Sequence, residues 1–162
     1  MKKNNILFLI FISAAFRLSA QTNAPEVDAM NFRDKMLKAV NDLRVKGCSC
    51  KDMKMSPVKK LTWNPLLESA AIGHASDMSH NNYFSHISQN GDEIDTRISA
   101  TGYSWSYIGE NIAWGYSDIE TVMKGWRASV EHCIQLMSPE VTEVGVARFD
   151  TFWVMDFGKP MK

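Results

Sequence analysis

Clusters of basic residues are missing from this 162-residue chain, and its 18 Lys and Arg are cancelled by 18 Asp and Glu. The electrostatic footprint that nucleic acid or anionic lipid headgroups require is therefore absent, and neither is an expected partner. Beyond residue 16 no stretch is apolar enough to cross a membrane. The sequence has no internal repeat, no low-complexity segment and no sign of a second domain. It also lacks the G-x-S-x-G nucleophile elbow and the H-E-x-x-H zinc motif, so two short hydrolase signatures are missing. Histidine is scarce at four residues and cysteine scarcer at three, with no C-x-x-C pair.

The one long apolar run, Ile6 to Phe16, follows a basic start at Lys2-Lys3 and leads into Leu18-Ser19-Ala20. It is too short to span a bilayer and has the layout of a secretory signal ending at residue 20. Arg17 and Leu18 fit the cleavage pattern less well, which leaves an uncleaved anchor as the alternative. The chain then divides into a signal peptide at 1–20, an N-terminal extension at 21–29 and one domain at 30–158. Lys2, Lys3 and Arg17 leave with the signal and no acid does, so 15 basic residues face 18 acidic ones, a net charge of about −3. Export, to the cell envelope or beyond it, means an oxidising setting, where three cysteines imply one disulfide and one leftover thiol. Cys48 and Cys50 are separated by Ser49 alone, too tight to bridge comfortably, so one of them pairs with Cys133. Cys50–Cys133 is the pairing adopted, with Cys48–Cys133 left open. A zinc site using all three thiols ranks lower, because an exported chain meets an oxidant before it meets much free zinc.

Residues 26–46 place Phe32, Met36, Leu37, Val40 and Leu43 at helical spacing, and Gly47 is positioned to end that helix in a left-handed cap. Cys48 to Lys60 shows no period and reads as a surface loop tied down by the disulfide. Asn64-Pro65 offers an N-cap followed by proline at the first helical position, with Leu67, Ala70, Ala71, His74 and Met78 on one face. Asp92 to Ala100 reads as a short third helix closed by Gly102. Ser117-Asp118-Ile119-Glu120 reads as a capping box opening a fourth through Ile119, Val122, Met123 and Trp126. Glu143–Phe149 and Phe152–Phe157 form a predicted hairpin around Asp150-Thr151, and Ile108–Trp114 adds a third strand. Helices first and strands mainly last predict an α/β chain with a small antiparallel sheet and helices packed on it.

Two histidines stand in specified contexts, Tyr83-Phe84-Ser85-His86 and Glu131-His132-Cys133. Between them Glu110 opens an apolar strand, where a carboxylate is costly unless it meets a cation, a metal or hydrogen-bond donors. Two imidazoles and a carboxylate make a three-ligand zinc site with an open fourth position, and the same atoms can hold one another by hydrogen bonds with no metal. Spacing does not choose between these. His74, on the apolar face of the second helix, reads as a hydrogen-bonded core histidine, and His80 as a solvated one. Trp105, Tyr107 and Tyr116 flank Glu110 and are candidates to line an apolar groove suited to lipid or peptide.

Leu61-Thr62-Trp63-Asn64, His74-Ala75-Ser76-Asp77-Met78, Tyr83-Phe84-Ser85-His86, Gly109-Glu110-Asn111-Ile112-Ala113-Trp114-Gly115, Trp126-Arg127-Ala128-Ser129, His132 and Glu143-Val144-Gly145-Val146-Ala147 occur in this order. In that combination the chain resembles the CAP superfamily, the cysteine-rich secretory proteins, antigen 5 and pathogenesis-related 1 proteins that share the SCP domain, and looks like its short bacterial branch. The resemblance implies an α-β-α sandwich with about four helices and a cleft whose metal-ligand set is His86, Glu110 and His132. It also implies Ser129, Glu131 and Asn111 along that cleft. Longer members carry a second Glu where this chain has Ser129; Glu131 either replaces it or points to water, the commoner fate of a Glu and the one favoured here. Relatives hold divalent ions such as zinc, and others bind sterols, fatty acids or proteins. The resemblance therefore implies an exported binding or interaction protein, with lipid or an extracellular protein as partner. A metal-dependent, peptidase-like hydrolase is the alternative, and a purely structural His/Glu network the third reading.

Overall fold

A computed structural model describes residues 24–162, with side chains from residue 28 onward. The signal-like segment at 1–20 lies outside the described residues.

The first helix, α1 (Ala24–Lys46), buries Met36, Val40 and Leu43, the stripe its spacing predicts. Gly47 ends it at φ +72°, and its N–H donates to the Leu43 carbonyl at 3.0 Å. A Cβ there would lie 2.7 Å from the Met55 carbonyl oxygen, so conformation and space both call for glycine. The following segment is not the surface loop expected. It forms a hairpin of β1 (Cys48–Cys50) and β2 (Met53–Met55), turned through Lys51 at φ 55°. Strands of three residues are too short to display a period of two, which is why the pattern was not visible.

β3 (Thr62–Trp63) leads into α2 (Pro65–Asn81). Asn64 caps α2 as predicted, its side-chain oxygen accepting from the Leu66 N–H at 2.8 Å and the Leu67 N–H at 3.4 Å. α3 (Ile94–Ala100) is followed by β4 (Trp105–Trp114), three residues longer at its start than the predicted strand. The next helix, α4 (Ile119–Ala128), is capped by Asp118 and not by Ser117: the Asp118 carboxylate takes the Thr121 N–H at 2.8 Å. A carboxylate satisfies that donor and the helix dipole together, so it displaces the hydroxyl. A fifth helix, α5 (Val130–Leu136), follows a break at Ser129, whose extended backbone stops α4. Five helices therefore replace the four expected, counted among the described residues.

β5 (Glu143–Phe149) and β6 (Phe152–Pro160) make the predicted hairpin, with Phe149 opposite Phe152. The main sheet runs β3-β5-β6-β4; its three long strands are antiparallel, while two-residue β3 joins parallel to β5. One face carries α1, α4 and α5, whose Met36, Val122, Trp126 and Leu136 pack with Val144, Trp153, Met155 and Phe157. The other carries α2, whose Ala71, Ala75 and Met78 meet Ile112, Ala147 and Val154. The result is the α-β-α sandwich. At Gly145 a Cβ would lie 2.0 Å from the Glu68 nitrogen, so the start of α2 rests directly on β5.

Candidate functional site

Strand β4 is an edge of the sheet, and the candidate residues reach it from both helical layers. Alternation along the strand sends Glu110 to the side of Ile112, against α2 and α3, and sends Asn111 to the side of Ala113, against α4 and α5. Glu110 exposes only 2% of its side chain. Its Oε1 accepts from His86 Nδ1 at 2.6 Å and its Oε2 from Arg97 Nη2 at 2.7 Å. His86 stands in the loop after α2 with 55% of its side chain exposed, whereas Arg97 of α3 is 9% exposed. Burial pushes the Glu110 carboxyl up, but the His86 hydrogen bond and the Arg97 charge outweigh it and hold the group below the usual carboxylate range.

Arg97 was not legible in the sequence as a site residue. It also donates to the carbonyls of His86 and Asp92, both at 2.9 Å, so one guanidinium holds the His86 loop, the entry to α3 and the Glu110 carboxylate. His74 lies behind it, almost fully buried, with Nε2 2.9 Å from the Ser85 carbonyl oxygen. That is the hydrogen-bonded core histidine expected. Burial pushes its imidazole down and favours the neutral ring.

A second carboxyl group completes this buried set. Asp156 of β6 sits directly opposite Glu110 in the ladder, is 1% exposed, and has no partner for Oδ1. Burial raises its pKa well above the usual value, and the neighbouring Glu110 charge adds to the effect. The predicted strand Phe152–Phe157 is apolar apart from Asp156, so the pattern that marks Glu110 marks this residue as well.

From the other layer α5 brings His132, Gln135 and Cys133. Asn111 Nδ2 donates to the His132 carbonyl at 3.1 Å, fixing α5 to β4. Gln135 presses against Gly109, where a Cβ would meet its amide at 2.1 Å. His132 Nδ1 and Gln135 Nε2 are both buried without a hydrogen-bond partner. Burial is the main cause of a lowered His132 pKa, with the nearby His86 adding to it, and both favour the neutral ring. Ser129 and Glu131 bond to each other at 3.2 Å, with Glu131 exposed at the start of α5.

The structure thus joins His86 to Glu110 directly and brings His132 up from the opposite layer. It does not gather His86, Glu110 and His132 into one tight ligand set. Among the described residues the His, Cys, Asp or Glu group whose ligand atoms all fall within 4.8 Å of one another is Cys48, Cys50 and Cys133. Cys50 and Cys133 are joined as a disulfide and Cys48 is free. The aromatic residues expected around Glu110 are divided: Trp105 packs near Ile98 and Tyr103, Tyr116 packs against the main core, and Tyr107 is exposed. No described helix is long and apolar enough to cross a membrane.

Comparison with known proteins places this geometry in a family. The membrane protein YlbC of Bacillus subtilis is 33% identical over 100 residues, 62% of this chain but 29% of its own length. The structure resembles an extracellular protein with an SCP domain from Bacillus anthracis at a TM-score of 0.70 and 28% identity, covering 78% of this chain and 39% of that one. It also shares the fold of an outer surface protein from Borrelia burgdorferi, at a TM-score of 0.71 and 22% identity, covering 83% of this chain and 96% of that one. The chain therefore spans well under half of the first two relatives. The model of the CAP family, cysteine-rich secretory protein family, matches residues 37–157, and the chain belongs to that family.

Proposed function

We propose that this protein is an exported binding module whose cleft takes a divalent cation of the zinc class through His86 and His132. In this reading Glu110 orients His86 and is not itself a ligand. The observation that carries it is the His86–Glu110 hydrogen bond at 2.6 Å set beside a buried His132 Nδ1 that has no hydrogen-bond partner. A carboxylate on one ring nitrogen fixes the tautomer and leaves the other nitrogen free as a donor, the usual support for a metal-binding histidine. An ion at His132 would supply the partner that its ring lacks. A bound zinc would offer an open Lewis-acidic position to an oxygen or nitrogen donor of a ligand. Export is supported by the signal-like residues 1–20 and by the extracellular description of the Bacillus anthracis relative. The bound partner is a lipid or an extracellular protein.

A purely structural network is the second reading, favoured by the capture of both Glu110 oxygens by His86 and Arg97. The same capture weighs against a hydrolase, because a carboxylate held by two donors below its usual range is a poor general base. Calorimetric titration of zinc into chelator-stripped protein at neutral pH, without reductant so that the disulfide sulfurs do not compete, separates the two. Micromolar or tighter binding that disappears in the His86→Ala/His132→Ala double variant is expected. No heat with a folded protein would overturn the metal site and leave the network.

A further inference from the structure

Alternation along β1 sends Cys48 and Cys50 to the same side of the strand, with Ser49 facing away between them. Cys133 reaches that side from α5, and all three sulfurs lie within 4.8 Å of one another. Cys50 and Cys133 form the disulfide and are fully buried, while Cys48 is only partly covered and keeps a free thiol. Its Sγ stands 3.8 Å from Cys133 Sγ, in contact with one atom of the bond it does not share.

From this arrangement we propose that the three sulfurs form a thiol–disulfide exchange centre, in which Cys48 is the nucleophile and Cys133 the shared electrophile. Because all three sulfurs lie within 4.8 Å of one another, Cys48 Sγ stands beside the Cys50–Cys133 bond and not in line with it, so its side chain first turns. The Cys48 thiolate then attacks Cys133 Sγ, a Cys48–Cys133 bond forms, the Cys50–Cys133 bond breaks, and Cys50 leaves as the thiolate. The proton lost by Cys48 is regained at Cys50, and no external oxidant or reductant is consumed. Both isomers tether the β1–β2 hairpin to α5, but they differ in what solvent can reach. In one the surface thiol is free and the disulfide is sealed; in the other the thiol is hidden and the disulfide presents its Cys48 sulfur to solvent. A small thiol, or the cysteine of a partner protein, therefore gains access to the buried pair through Cys48.

The test is the rate at which the full, folded chain is reduced by a small thiol in the absence of denaturant, compared with the Cys48→Ser variant of matched melting temperature. The expected result is reduction at least about tenfold slower in the variant, because the direct route to two buried sulfurs is closed. Equal rates would overturn the proposal. A second measurement uses Cys50→Ser: mild oxidation followed by mass mapping of non-reduced peptides should find Cys48 linked to Cys133 in a folded protein. Free thiols at both positions after oxidation would overturn it as well.

Discussion

Glu110 and Asp156 are cross-strand neighbours whose carboxyl groups are shifted in opposite directions, Glu110 down and Asp156 up, and their surroundings explain the difference. Arg97 and His86 give Glu110 two donors, whereas Asp156 has buried surroundings and an unpaired Oδ1. The native Asp156 carboxyl therefore keeps a proton that the unfolded chain releases above 3.8. Because its native pKa is raised, stability falls as pH rises above that value, until the native group itself ionises. Asp156→Asn keeps the shape and removes the linkage. It should melt at a higher temperature than the parent at pH 7, with the gap narrowing toward about pH 4; parallel pH profiles for the two proteins would count against a protonated Asp156. The same site predicts an order of losses. Arg97→Ala strips a buried carboxylate of its main cation and should cost about 3 kcal/mol in urea denaturation. His86→Ala, which removes a partner that is 55% exposed, should cost under about 1 kcal/mol. Glu110 was legible because a carboxylate opening an apolar strand must find a partner. The partner, Arg97, was not, since a single Arg in a seven-residue helix looks like any solvated side chain until α3 packs beside β4.

At the scale of elements, the helix ends carried the clearest signals, because caps are written in adjacent residues. Asn64 and Pro65 set the start of α2, Gly47 the end of α1, and Asp150-Thr151 the hairpin turn. Asn64 does more than cap: its Nδ2 donates to Glu143 Oε2 at 2.9 Å, joining the start of α2 to β5. Asn64→Ala should therefore lose about 1–2 kcal/mol, at the upper end for a cap, while Asn64→Asp should recover the cap but place a second carboxylate against Glu143. A variant series in thermal melts with Asp above wild type would show that this contact is not made as described. Four elements escaped prediction, for two reasons. Strands β1, β2 and β3 are too short for any period, and α5 was obscured because Ser129, a single residue of extended backbone, breaks the helical run. That break matters to the site, since it puts His132 and Cys133 on a separate helix, where the His132 carbonyl is held by Asn111 of β4 and Cys133 is bonded to Cys50 of β1.

The whole molecule is held across its sequence by contacts that no local pattern announces. Arg44, fully buried, donates to the carbonyls of Lys59, Leu136 and Ser138, and the disulfide ties β1 to α5 across a separation of 83 residues. By the chain-entropy argument, a loop of that length makes the disulfide worth about 4.5 kcal/mol. Cys133→Ala, which removes both disulfides that tether the β1–β2 hairpin to α5, should lower unfolding free energy by about that amount in urea. A loss under about 1 kcal/mol would show that the tether constrains little. The sequence alone determined the apolar stripes of α1 and α2, the β5–β6 hairpin and the family, and it singled out His86, Glu110 and His132 as candidates, because periodicity, caps and ordered motifs are local properties of the chain. Only the tertiary structure decided that Arg97 and Asp156 complete the Glu110 cluster, that His132 approaches from the opposite layer, and that three sulfurs meet, because packing brings together residues whose separation in sequence carries no signal.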